Sequence, residues 1–95
     1  MRKRARVDGN HTAIVKALKS AGCTVQSLAA LGDGVPDLLV GCGGRNLLVE
    51  VKNGARSPSR RRLTGDEQTW HAAWAGQVVV VATVDEALAV IAGPP

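Results

Sequence analysis

Two periodicities divide the chain. From Asn10, His11, Ile14, Val15, Leu18 and Ala21 fall on one line at spacings of three and four, the pattern of an amphipathic helix. Asn10 is placed to be its N-cap, and Gly22 sits where a helix stop is expected. The period then changes. Thr24 to Leu31 reads as a first strand, followed by the turn signal Gly32-Asp-Gly34. Val35 to Val40 reads as a second strand, with Pro36 at its start or on an edge. After the glycine-rich turn Gly41-Cys-Gly-Gly44, Asn46 to Lys52 forms a third. Such short turns predict an antiparallel meander.

Residues 53–62 form a polar, basic loop. Thr64-Gly-Asp-Glu67 then has the form of a capping box, opening a helix that carries Trp70 and Trp74 one turn apart. That spacing is normally core, with a buried dimer interface for one of them or stacking on a base as the alternatives. Gln77 to Thr83 contains Val78-Val-Val-Val81, a β-branched run typical of a strand covered on both faces. Thr83-Val-Asp-Glu86 repeats the cap and opens a short helix through Leu88 and Ile91, ended by Gly93-Pro-Pro95. The expected order is α-β-β-β-α-β-α, an α/β fold with a mixed central sheet flanked by helices. Residues 1–9 read as a flexible basic arm and residues 10–92 as one domain.

Composition narrows the picture. A chain of 95 residues with no Phe, no Tyr and two Trp must build its core from Val, Leu, Ile and Ala. That core buries little area per residue, so stability is expected to be modest and a homodimer is the natural remedy. Cys23 and Cys42 are too few and too far apart in sequence for a zinc set or a disulfide framework, and read as reduced thiols. No apolar run approaches the roughly 20 residues that span a bilayer, and no long apolar segment follows the basic start, so a cytoplasmic protein with no membrane partner is expected. The net charge is +4, and most of the excess lies in two clusters: Arg2, Lys3, Arg4 and Arg6, then Arg56, Arg60, Arg61 and Arg62. Such blocks attract polyanions through counterion release, without reading sequence.

The candidate chemistry lies in the meander. Pro36-Asp37 is followed, after twelve intervening residues, by Glu50-Val51-Lys52. The start of one strand lies beside the end of its antiparallel neighbour, which brings Asp37 to Glu50; Lys52, two residues on, projects from the same face as Glu50. Close carboxylates repel unless a cation lies between them. Oxygen donors suit Mg²⁺ or Mn²⁺, with the Val51 carbonyl as a further ligand. A metal there polarises a phosphate and lowers the pKa of a bound water. Lys52 would orient that water or stabilise charge on the phosphoryl oxygens. The plainer alternative is a solvated Glu–Lys pair worth ~0–1 kcal/mol.

With Gly34-Val-Pro-Asp37, Leu47-Leu-Val-Glu-Val-Lys52 and Glu67-Gln68-Thr-Trp70, the chain resembles the PD-(D/E)XK nucleases, and more narrowly the stand-alone VRR-NUC type common in phages. The resemblance runs from about Asn10 to Ile91. It implies a restriction-endonuclease-like core, a metal site at Asp37, Glu50 and the Val51 carbonyl, a catalytic Lys52, and Gln68 close by as a further catalytic residue. Gln68 would bond a metal-bound water or phosphate, the alternative being an ordinary exposed amide. It also implies hydrolysis of DNA, including branched DNA such as Holliday junctions, by a homodimer, in the host cytoplasm if phage-encoded. Many relatives carry an acid on the first helix. This chain has no Asp or Glu between Asn10 and Ala21, which makes Asn10 and His11 the accessory candidates.

The basic residues Arg2, Lys3, Arg4, Arg56, Arg60, Arg61 and Arg62 are expected on the DNA backbone, holding register; His71 is assigned no role. The competing functions are a less selective duplex endonuclease or nickase, a non-catalytic DNA-binding accessory protein, and an RNA-directed nuclease. Against a binder stands its lack of any reason to set two carboxylates facing phosphate.

Overall fold

The computed structural model describes residues 9–55 and 62–93. Helix α1 (Gly9–Ser20) leads to β1 (Thr24–Ser27) and a 3-10 turn at Ala29–Leu31. Strands β2 (Leu38–Cys42) and β3 (Arg45–Val51) follow, then α2 (Gly65–Ala73), β4 (Val78–Val81) and α3 (Val84–Ala92). The element order is the expected one. The sheet runs β1-β2-β3-β4; the first three strands are antiparallel and β4 lies parallel to β3. A parallel neighbour needs a crossover, and α2 supplies it. No helix among the described residues is long and apolar enough to cross a membrane.

Register sorts the side chains by face. Leu38, Val40, Leu47, Val49 and Val81 lie on the inner face and pack with Ile14 and Leu18 of α1 and Ala87 of α3 into one aliphatic core. Leu39, Leu48, Glu50 and Val80 occupy the alternate positions, on the outer face. The outer face is only partly covered. Leu39 (38% exposed), Val80 (46%) and Trp74 (45%) stay open, and a groove of about 420 Å³ runs past Leu39, Leu48, Trp74 and Gln77.

Several local expectations need correction. Asn10 lies inside α1 and does not cap it; its amide instead donates to the carbonyls of Lys52 (2.6 Å) and Ala82 (3.2 Å), tying the helix to the ends of β3 and β4. Gly9, expected in the basic arm, is already helical, while residues 1–8 lie outside the described residues. The first strand stops at Ser27 because the Ser27 hydroxyl accepts from the Ala29 amide and turns the chain. The second strand starts at Leu38, after Pro36, which has no N–H to give the ladder. The outer face is left open over β4, so Val80 is exposed and the strand is not covered on both faces. Helix α2 buries none of its residues. Trp70 and Trp74 therefore stack on each other, 4.8 Å between centroids and 17° between planes, and stay out of the core.

Other signals hold. Gly22 closes α1 in a Schellman arrangement, Cys23 N–H to Leu18 O and Gly22 N–H to Lys19 O, both 3.0 Å. Both capping sites form, the one at Thr64 as the full reciprocal box. The β2–β3 hairpin turns on Gly43 and Gly44, at φ 60° and 80°, the two positive values a tight hairpin requires. Cys23 and Cys42 are free thiols. They are distant in sequence, but one step beyond the Thr24–Gly41 pair sets them side by side. Burial, then a hydrogen bond with Cys42, pushes the Cys23 thiol up to about 11.

Gly34 positions α2. Its φ is +83°, and a Cβ there would strike the backbone carbonyl of Asp66 in the first turn of that helix. Gly34→Ala is therefore expected to cost about 2–4 kcal/mol, combining left-handed strain with an unyielding backbone contact. Urea unfolding measures it; a change below about 0.5 kcal/mol, the level of a neutral surface substitution, would refute the close approach.

Candidate active site at the β2–β3 rim

The site forms where Pro36 ends the ladder. Continuing the Leu38–Val49 register by one step sets Asp37 opposite Glu50. The Asp37 backbone carbonyl accepts from the Leu28 amide at 2.7 Å. Its carboxylate Oδ2 accepts from the Val51 amide, also at 2.7 Å, taking a place that a strand carbonyl would otherwise fill. Asp37 is thus fixed on the chain segment that bears Glu50 and Lys52.

Glu50 is 2% exposed, the one buried charged residue among those described. Burial first, then the charges of Asp37 and Glu67 and a hydrogen bond shared with Asp37, push its carboxyl up to about 9. Register sets the two carboxylates on facing positions, and without a cation this buried, acidic setting favours the protonated form of Glu50. Its Oε1 has no hydrogen-bond partner. An orphaned buried acceptor costs about 1–3 kcal/mol.

Lys52 Nζ lies 3.7 Å from Glu50 Oε2 and 2.6 Å from Glu67 Oε1. Burial pulls the ammonium pKa down, but the hydrogen bond to Glu67 and the charges of Glu67, Glu50 and Asp37 outweigh it, and the pKa ends up raised. For Glu67, burial pushes up, while the Lys52 hydrogen bond, the Thr64 amide and the lysine charge pull harder, and its pKa is lowered. Lys52 is an ammonium and Glu67 a carboxylate.

The structure brings together Asp37, Glu50, Val51 and Lys52, as expected, and adds Glu67 and His71. Glu67 was accounted for by its capping box; its Oε1 accepts from the Thr64 amide at 2.9 Å and also holds Lys52. His71 lies one turn further along α2, its Nε2 3.9 Å from Glu50 Oε1. The Glu67–His71 spacing of four is the signal that would have found it. Gln68 is exposed and donates to the Leu63 carbonyl at 3.0 Å. Asn10 reaches the Lys52 backbone, and His11 is partly buried on the same helix. Arg62 is exposed just ahead of α2, whereas Arg2, Lys3, Arg4, Arg56, Arg60 and Arg61 lie outside the described residues.

Among the described residues, no three side chains of His, Cys, Asp or Glu are grouped as a ready metal-ligand set. The fit to a hard cation rests on a pair: two carboxylates on facing strand positions, one with a buried oxygen that has no hydrogen-bond partner. Oxygen donors of this kind match Mg²⁺ or Mn²⁺, which retain waters and need few protein ligands. No protein-family model matches the chain, and no curated protein and no solved structure matches it.

Proposed function

We propose that the chain is a metal-dependent endonuclease that hydrolyses phosphodiester bonds in DNA, on a restriction-endonuclease-like core, with a preference for branched DNA such as a four-way junction. One observation carries the reading: Asp37 and the buried Glu50 on facing positions at adjoining ends of β2 and β3, with Lys52 3.7 Å from Glu50. A purely DNA-binding protein gains nothing from carboxylates that repel phosphate. A solvated surface pair would not bury Glu50 to 2% exposure.

Asp37, Glu50 and the Val51 carbonyl are the residues that would hold Mg²⁺ or Mn²⁺, which supplies Lewis-acid polarisation of the phosphate and a water of lowered pKa. Asp37 is held in place by the Val51 amide. Lys52 stays protonated between its acidic neighbours, so its part is to stabilise negative charge gathering on a phosphoryl oxygen and not to accept a proton. Arg62, with the basic residues of the adjoining segment, would hold the phosphate backbone and set register. The branched-DNA preference rests on the family resemblance and on a homodimer presenting two sites to two strands; the open apolar patch of Leu39, Trp74 and Val80 is where a second copy would sit.

The test uses labelled four-way junction, linear duplex and single strand with Mg²⁺, Mn²⁺ or a chelator. Cleavage is expected with either metal and lost with chelator. Paired symmetric cuts restricted to the junction would establish the resolvase activity. Equal cutting of duplex would leave a less selective endonuclease, and cleavage that survives chelation would overturn the reading.

A further inference from the structure

Glu50 is set on one side and faced across a gap on the other. Its Oε2 has Lys52 at 3.7 Å. Its Oε1 is faced by His71 Nε2 at 3.9 Å, and both of these buried atoms lack a hydrogen-bond partner. The two side chains are 3% and 12% exposed, so bulk water does not readily serve either. His71 arrives here from α2, the crossover helix, one turn beyond Glu67, which holds Lys52. The Trp70 ring stands edge-on to the imidazole, at 6.2 Å and 74°. Closing the gap to hydrogen-bond length needs a movement of only about 1 Å.

We propose that His71 is the positioning residue for Glu50: its Nε2–H, donated to Oε1, fixes the plane of the carboxylate so that Glu50 and Asp37 present their oxygens to one cation. This rests on the nuclease reading above and deepens it by adding a residue of α2 to a site otherwise built by two strands. A partner that orients a ligating carboxylate typically changes metal affinity by about 10–100-fold when removed. The imidazole acts through Glu50 and touches neither substrate nor metal.

The experiment measures Mn²⁺ binding to the full chain without DNA, by calorimetry and by the electron paramagnetic resonance signal of free Mn²⁺. His71→Phe keeps a ring and removes the donor; His71→Gln returns an N–H close to the position of Nε2. The wild type and His71→Gln are expected to bind alike within about threefold, and His71→Phe about tenfold or more weakly, with the melting temperatures of the two variants alike. In the metal-free protein, the ¹⁵N resonances of His71 are expected to show a proton on Nε2 and to shift when Glu50→Ala removes the acceptor. Undiminished Mn²⁺ binding by His71→Phe, failure of His71→Gln to restore it, or an imidazole indifferent to Glu50→Ala would each overturn the role of His71. If Asp37→Ala still abolishes Mn²⁺ binding in that case, the nuclease reading stands. If Asp37→Ala binds Mn²⁺ like the wild type, that reading falls and the positioning role falls with it.

Discussion

Glu50→Gln is expected to lower DNA cleavage by about 10³-fold or more while making the metal-free protein more stable than the wild type at alkaline pH. On the proposed reading, the loss would follow from removing a charged metal ligand that a neutral amide replaces poorly. The gain follows from the raised carboxyl of Glu50, pushed up to about 9 by burial and its acidic neighbours. In an unfolded chain the same carboxyl ionises in the ordinary range, near 4.5. The native state therefore holds a proton that the unfolded state releases. The stability belonging to that proton is complete below about 4.5 and is lost as pH rises toward about 9. Across that window the wild type should weaken relative to Glu50→Gln by up to about 1.4 kcal/mol per pH unit. Urea unfolding of both proteins at pH 5, 7 and 8.5, in chelator, measures the difference. A constant gap between the two would mean that Glu50 is ionised in the folded protein, and the cation site would lose its main support. With Mn²⁺ present the order should reverse, since only the wild type can exchange its proton for the metal.

Lys52→Met is expected to slow the chemical step by about 10²–10³-fold while leaving Mn²⁺ affinity within a few-fold of the wild type. The ammonium lies 3.7 Å from Glu50 Oε2 and bonds to Glu67 at 2.6 Å; it is placed beside the carboxylates and is no ligand itself. Losing it also deprives Glu67 of a charged partner in a setting where each side chain is under one-fifth exposed, 15% and 19%, at a cost of about 1–3 kcal/mol. Single-turnover cleavage at saturating metal separates the two effects. A rate within fivefold of the wild type would remove Lys52 from the chemistry and leave it a structural ion pair. Because its pKa is raised, no loss of rate from lysine deprotonation is expected anywhere between pH 6 and 9.

The rim of the β2–β3 hairpin is legible in the sequence because strand periodicity is strict. Once Asp37 and Glu50 fall at adjoining ends of two antiparallel runs, and Lys52 two positions on, their meeting follows from register alone. Strand ends were less legible. A lone hydroxyl at Ser27 and a missing N–H at Pro36 decided them, and both are local hydrogen-bond effects that hydrophobic pattern does not encode. The α2 contribution was hidden for a different reason. Glu67 already had a complete explanation as a helix cap, and nothing in the pattern distinguishes a capping carboxylate that is also an ion-pair partner. The tryptophans misled because large apolar side chains at helical spacing ordinarily enter a core; here α2 crosses the outer face of the sheet, and the rings stack on each other.

Oxygen Oε1 of Glu67 serves two masters, accepting from the Thr64 backbone at 2.9 Å and from Lys52 at 2.6 Å. The start of α2 and the position of Lys52 consequently depend on one atom. Edits at Thr64 meant only to tune a helix start will also shift the lysine, so a survey that ranks variants by thermal resistance alone will miss what such edits do to Lys52.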